Sequence, residues 1–197
     1  TVITDQQFHL VFDCQKIFKA LMNALARPGQ IFNTKESIDK IEGEHTALLA
    51  AALTVLDNRC GFYTNGDAGF AEEVREQTLA KESEVKEADY ILITSDALSR
   101  EECTALLQNA KVGTLPEPHK SCTFFIEIES LQEGEEGTLQ GPGIQETRTV
   151  LLPTQAWMWL EVRDAMQYEF PCGVDMFFVT PEGEWVGIPR TTKIGGR

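Results

Sequence analysis

The residues best suited to chemistry lie in the last third of the chain, around a predicted hairpin. Asp175 falls in a strand-like run of apolar residues, so its carboxylate needs a partner if it faces inward. Arg190, just beyond the hairpin, is the nearest candidate in the chain. One interpretation is a structural ion pair between Asp175 and Arg190, supported by the hydroxyls of Thr191 and Thr192. The other is that four consecutive residues with hydrogen-bond donors form a small anion site or a partner-docking edge. These are Arg190, Thr191, Thr192 and Lys193.

A glycine-rich turn is the second feature that could approach a ligand. Gly141 and Gly143 flank Pro142 and supply two of the three glycines of a dinucleotide-binding fingerprint, but no helix is predicted directly after them. Their backbone either approaches a ligand or partner chain closely, or forms a tight turn between strands. The segment Arg27-Pro28-Gly29, at the end of a predicted helix, allows the same two interpretations.

Self-sufficient catalytic machinery is not predicted. The sequence lacks the Walker phosphate-binding loop, the H-E-x-x-H zinc motif and the G-x-S-x-G nucleophile motif. Five scattered cysteines form no C-x-x-C pair, which argues against zinc and iron-sulfur sites and favours reduced thiols. Of the three histidines, His9 is predicted on a helix, His45 near a helix start and His119 in a proline-rich turn. We therefore predict no catalytic residue, metal site or cofactor.

Composition restricts the partners. The 197 residues include 17 Lys and Arg against 31 Asp and Glu, a net charge of −14 that argues against nucleic acid and anionic membranes. Residues 47–56, the longest strongly apolar stretch, are too few for a membrane-spanning helix. The polar residues 1–7 do not resemble a secretory signal. The expectation is a soluble cytoplasmic protein.

The spacing of apolar residues predicts alternating helices and strands, which favours a single α/β domain over residues 1–197. The first helix carries an apolar stripe of Val11, Cys14, Phe18, Leu21 and Leu25, which Leu10 and Ile17 widen. Helices are predicted at 6–26, 45–56, 68–80, 99–110 and 154–166. Strands are predicted at 30–33, 60–64, 88–94 and 122–128, with an acidic solvated loop at 132–137 and a hairpin pairing 174–180 with 185–188.

Four segments together resemble the PhnH family, the H subunits of bacterial carbon-phosphorus lyase systems. They are Arg27-Pro28-Gly29, residues 139–144 (LQGPGI), residues 170–175 (FPCGVD) and residues 188–192 (IPRTT). The resemblance runs nearly the whole length of the chain in the same order, and its specificity lies in the first helix and the last third.

The resemblance implies a role in phosphonate metabolism. PhnH proteins associate with G, I and J subunits. The G, H and I subunits, with the L protein, support transfer of the ribose 5-triphosphate of ATP to an alkylphosphonate, releasing adenine. The implied fold is a three-layer α/β/α domain with a mixed central sheet, similar to the large domain of pyridoxal-phosphate-dependent transferases without the cofactor. A homodimer is implied for the isolated chain. Since the family assigns no catalytic residue to this subunit, Gly141, Gly143, Asp175, Arg190, Thr191 and Thr192 are candidates for partner or ligand contact.

Two other functions remain open from the sequence. One is a stand-alone small-molecule transferase on a degenerate pyridoxal-phosphate-type scaffold, although no lysine has a recognisable Schiff-base context. The other is a non-catalytic dimeric scaffold or nucleotide-sensing module.

Overall fold

The computed structural model describes residues 7–94 and 98–195, within which helices and strands alternate. The helices are α1 (Phe12–Ala26), α2 (Lys35–Ile38), α3 (Thr46–Val55), α4 (Ala68–Thr78), α5 (Arg100–Asn109) and α6 (Thr154–Ala165). The strands are β1 (Ile31–Asn33), β2 (Gly61–Thr64), β3 (Lys81–Glu82), β4 (Tyr90–Ile93), β5 (Thr123–Glu127), β6 (Glu135–Gln140), β7 (Arg148–Leu152), β8 (Asp175–Val179), β9 (Glu184–Ile188) and β10 (Lys193–Ile194). No helix in these ranges is long and apolar enough to cross a bilayer.

Seven strands form one mixed sheet in the order β1-β9-β8-β5-β4-β2-β3. The strands from β8 to β3 run parallel to one another, whereas β9 pairs antiparallel with β8 and β1 pairs antiparallel with β9. The predicted α/β class and the predicted C-terminal hairpin are therefore both confirmed. In the hairpin, Met176 lies opposite Ile188 and Val179 opposite Trp185.

Apolar side chains on both faces of this sheet are buried, because helices cover both sides. On one face, Leu92, Phe125 and Phe177 pack in a core shared with α1, α3 and α4. On the other, Phe124 and Phe178 pack with α5, α6 and a second sheet of order β10-β6-β7. Continuous apolar runs in the parallel strands are the consequence of this double coverage.

The first helix differs from its prediction. It begins at Phe12, and residue 6 lies outside the described ranges. The predicted stripe residues Ile17 and Leu21 are buried, together with Ala24, whereas the predicted stripe residues Val11 and Phe18 are 67% and 51% exposed. The reason is that α1 carries apolar residues on two sides, and the side rich in small residues is the one that approaches β9 closely.

The predicted acidic loop at residues 132–137 is also wrong in part. Strand β6 begins at Glu135 and pairs antiparallel with β7. Glu135 and Glu136 are exposed, whereas Gly137 lies so close to the indole of Trp157 that a Cβ there would come within 2.4 Å of it. The acidic composition reflects one solvated edge of a strand, not an unpaired loop.

A buried carboxylate anchors α1. Asp13 accepts hydrogen bonds from the His9 amide at 2.8 Å, the Ser37 hydroxyl at 2.8 Å and the Lys40 ammonium at 3.2 Å. Burial alone would raise the pKa of Asp13, but these hydrogen bonds and the charge of Lys40 outweigh it and lower the pKa below its usual 3.8. The prediction that His9 lies on the helix is wrong, because His9 precedes α1.

We expect Gly187→Ala to destabilise the fold by roughly 1–3 kcal/mol through overpacking. A Cβ at Gly187 would lie 2.7 Å from the backbone carbon of Ala24, where α1 crosses β9. Gly69→Ala is the matched control, because it lies in α4 with its nearest neighbouring atom 3.6 Å away, and it should stabilise slightly. Urea unfolding of both variants tests the difference, and equal effects would contradict it.

The acid stability of the fold should depend on Asp13. Because its folded pKa lies below the unfolded value, its contribution is present above about pH 4 and is lost as the pH falls through the folded pKa. Asp13→Asn should therefore cost roughly 3 kcal/mol near neutral pH and progressively less as the pH falls below the usual carboxyl value of 3.8. Urea unfolding across an acid pH series measures this. Asp39→Asn, which removes an exposed ion pair with Lys35, is the control. If Asp13→Asn lowers the free energy of unfolding equally at neutral and acid pH, the lowered pKa of Asp13 is contradicted.

Candidate functional site

The hairpin places Asp175 beside Arg190 at the amino edge of the parallel strands. Arg190 Nη2 donates to Asp175 Oδ2 at 2.7 Å, and Nε donates to Oδ1 at 3.3 Å. The backbone N–H of Arg190 also donates to Oδ1, at 2.7 Å. The predicted ion pair is therefore present, and one carboxylate holds both the side chain and the backbone of Arg190.

A backbone carbonyl completes this arrangement instead of the predicted hydroxyls. Arg190 Nη1 donates to the carbonyl oxygen of Pro118, which ties the hairpin to the turn preceding β5. The predicted support from Thr191 and Thr192 is wrong, since within the described ranges neither hydroxyl bonds to the pair. The physical reason is that Thr192 is turned into the protein, where its Oγ1 is buried without a hydrogen-bond partner among the described residues.

The two glycines of the predicted turn pack against this chain's own backbone. Gly141 has φ +142°, and a Cβ there would lie 2.9 Å from the carbonyl oxygen of Thr191. Gly143 has φ +85°, and a Cβ there would lie 2.6 Å from the carbonyl oxygen of Ala26. Both positions thus require glycine for conformation and for space. The β6–β7 loop thereby joins the residues after β9 to the end of α1.

The four segments that carry the family resemblance therefore meet in space. Besides the glycine contacts, Arg148 Nη1 donates to the Pro28 carbonyl at 2.9 Å, and the N–H of Gly29 donates to the Gly187 carbonyl at 3.3 Å. A Cβ at Gly173 would lie 3.2 Å from Cβ of Arg190. The segments position one another, which explains why each carries glycine or proline.

Two cavities adjoin Arg190. The larger, of about 640 Å³, contains several cations that are already paired, with Lys111 2.5 Å from Asp89 and Arg59 3.8 Å from Asp57. The smaller, of about 360 Å³, is lined by Arg163, Lys193 and the buried Thr192 as well as Arg190. Arg163 was missed from the sequence, although its spacing from Trp159 and Leu160 placed it on the buried side of its helix.

A second cluster, at the opposite edge of the sheet, was also missed. His45 immediately precedes α3, as predicted, and its Nδ1 lies 2.6 Å from Oε1 of Glu127 at the end of β5. Its Nε2 lies 3.4 Å from Oδ2 of Asp67, the N-cap residue of α4. The imidazole connects α3, α4 and β5 at the carboxyl edge, where α/β proteins commonly place ligands. Glu127 is 82 positions from His45, too far for sequence spacing to reveal the contact.

Comparison with known protein families identifies the class to which this α/β chain belongs. The chain belongs to the family described as "Bacterial phosphonate metabolism protein (PhnH)", whose model matches residues 7–195. The resemblance drawn from the sequence is thus confirmed.

Two curated relatives are similar over most of their length. A "Putative C-P lyase subunit protein HtxG" from Stutzerimonas stutzeri is 27% identical over 180 residues, covering 91% of this chain and 85% of the relative. An "Alpha-D-ribose 1-methylphosphonate 5-triphosphate synthase subunit PhnH" from Rhizobium meliloti (strain 1021) is 25% identical over 189 residues, covering 93% and 91%. Both names describe subunits of larger systems.

We expect Arg190→Ala to destabilise the fold by about 3 kcal/mol, because it leaves the largely buried carboxylate of Asp175 without its cation. Arg75→Ala is the control, since Arg75 makes an exposed ion pair with Glu72 and its loss should cost less than about 1 kcal/mol. Urea denaturation of both variants provides the measurement. Similar small costs would mean that the Asp175–Arg190 pair contributes little to stability.

Proposed function

We propose that this chain is a subunit of a bacterial carbon-phosphorus lyase complex that transfers the ribose 5-triphosphate of ATP to an alkylphosphonate, with release of adenine. Membership of the phosphonate metabolism family over residues 7–195 is the observation that carries the proposal. The names of the two relatives, both described as subunits, support it. In this proposal the chain contributes surface to the assembly, and other subunits supply the catalytic groups.

The proposed partners are G, I and J subunits and the L protein, in the cytoplasm, with a homodimer as the isolated form. We also propose that the fold corresponds to the large domain of pyridoxal-phosphate-dependent transferases without its cofactor. The mixed seven-stranded sheet with helices on both faces supports this correspondence.

An uncovered apolar stripe on α1 supports a role in assembly. Val11, Phe18 and Met22 recur at helical spacing on one side of α1, and each is more than half exposed. Large apolar side chains grouped on a surface usually mark a contact with another protein. We assign this stripe to another subunit of the complex.

The charge of α1 specifies the chemistry of that subunit. Lys16 and Lys19 are exposed on α1, whereas its one acidic residue, Asp13, is buried. Lys19 lies three positions before Met22 and so borders the stripe. A two-fold dimer formed through the stripe would bring Lys19 of both copies into one interface, which like-charge repulsion opposes. An apolar surface with an acidic rim on a different subunit is the better match.

Co-expression with the G, I and J subunits should yield one co-eluting complex in size-exclusion chromatography at micromolar concentration. A double variant, Phe18→Ser with Met22→Ser, should weaken association by about tenfold or more, because it removes apolar contact area without touching the core. Leu115→Ser, at an exposed leucine outside α1, is the matched control and should co-elute normally.

The outcomes separate the two parts of this proposal. Elution of the unaltered chain apart from the other subunits would overturn the subunit assignment. Normal co-elution of the double variant would retain that assignment and overturn the role of α1.

A further inference from the structure

The residues that line the smaller cavity beside Arg190 carry a net positive charge, whereas the whole chain is negatively charged. It lies between the end of α6, the segment leading into β8 and the residues after β9. Arg163, Arg190 and Lys193 line it, with Asp164 as the acidic lining residue. Even counting Asp175, which pairs with Arg190, one net positive charge remains in a chain of net charge −14. A local excess of this kind attracts anions.

Arg163 contributes a buried cation to this cavity. Its side chain is only 3% exposed, and its Nη atoms donate to the carbonyls of Ile188, Pro189 and Thr192 at 3.3, 3.2 and 2.6 Å. Asp164 Oδ1 lies 3.3 Å from Nη2, but Oδ2 of the same carboxylate is occupied by the N–H of Ile194 at 3.2 Å. Burial lowers the pKa of the Arg163 guanidinium. An anion in the cavity would offset this unfavourable desolvation.

Unused hydrogen-bond donors line the same space. Lys193 is exposed and makes no ion pair with any residue in the described ranges. The Arg190 guanidinium has five N–H groups, of which three are engaged by Asp175 and Pro118. The buried Thr192 hydroxyl has no partner among the described residues, although buried hydroxyls are normally hydrogen-bonded.

We propose that this cavity binds a small tetrahedral oxyanion, such as a phosphate or phosphonate group, with Arg163, Arg190 and Lys193 supplying charge and Thr192 supplying a hydroxyl donor. The volume of about 360 Å³ accommodates such a group together with a small substituent. Donors on three separate elements, α6, the turn after β9 and β10, surround the space and suit a ligand that accepts from several directions.

Isothermal titration calorimetry on the isolated full chain tests the proposal, with inorganic phosphate, methylphosphonate and acetate as separate probes. Phosphate and methylphosphonate should bind saturably and acetate at least tenfold more weakly. Lys193→Gln should weaken phosphate binding by about tenfold while leaving the unfolding midpoint unchanged, because the Lys193 side chain is exposed and forms no ion pair within the described ranges. Thr192→Val should weaken binding without destabilising the protein, since the hydroxyl it removes is unpaired. Lys19→Gln, an exposed lysine on α1, is the matched control.

Several results would overturn the site. They are no saturable binding of phosphate or methylphosphonate at millimolar concentration, equally tight binding of acetate, or binding that Lys193→Gln and Thr192→Val leave unchanged. None of these affects co-elution with the other subunits, so failure here is distinguishable from failure of the proposed function.

Discussion

The C-terminal part of the molecule depends on the hydrogen bonds that the buried guanidinium of Arg163 donates to backbone carbonyls. A cation removed from water must be surrounded by acceptors. Here the acceptors are the backbone carbonyl of Ile188 at the end of β9, two carbonyls of the turn after it and the neighbouring Asp164. Satisfying one side chain therefore fixes the path of the whole turn. That path presents the backbone and side chain of Arg190 to Asp175, and it leads the chain into β10 beside β6. The position of Arg190 in the ion pair and the pairing of β10 with β6 therefore both depend on the turn that Arg163 holds.

The glycine contacts extend the same constraint to the other end of the chain. Because Gly141 rests on Thr191 and Gly143 rests on the end of α1, the loop between β6 and β7 is positioned by residues from both chain ends. Arg148 reinforces this by donating to the Pro28 carbonyl. The residues that gave the sequence its family resemblance are therefore mainly those that hold the layers in register. Among these residues, Arg190 and Thr192 also line the small cavity.

Local signals in the sequence were sufficient for much of the fold. Ser99 and Glu102 form a capping box at the start of α5, a motif that residue spacing alone can indicate because both residues lie within one helical turn. The C-terminal hairpin and the buried parallel strands follow from apolar runs bounded by turn residues. The burial of α1 could not be predicted in the same way, since two sides of the helix are apolar and the choice between them is made by Gly187, far along the chain.

The candidate site could be predicted from the sequence only in part. The Asp175–Arg190 pair follows from the cost of an unpaired buried charge. The partners of Arg163 and His45 do not, because they depend on tertiary contacts between elements distant in sequence.

The pairing of β1 with β9 has a consequence for how the protein is made. Ile31 lies opposite Val186, so the edge strand near the start of the chain has no partner until the last strands of the main sheet exist. During synthesis, α1 and β1 leave the ribosome long before β8 and β9, and the face of α1 that later covers β9 stays exposed in the interval. Long-range pairing of this kind slows folding and prolongs the exposure of apolar surface. For this chain, the helix with two apolar sides can pack against α3 early, but the face that covers β9 stays without its final contact until β9 has been made.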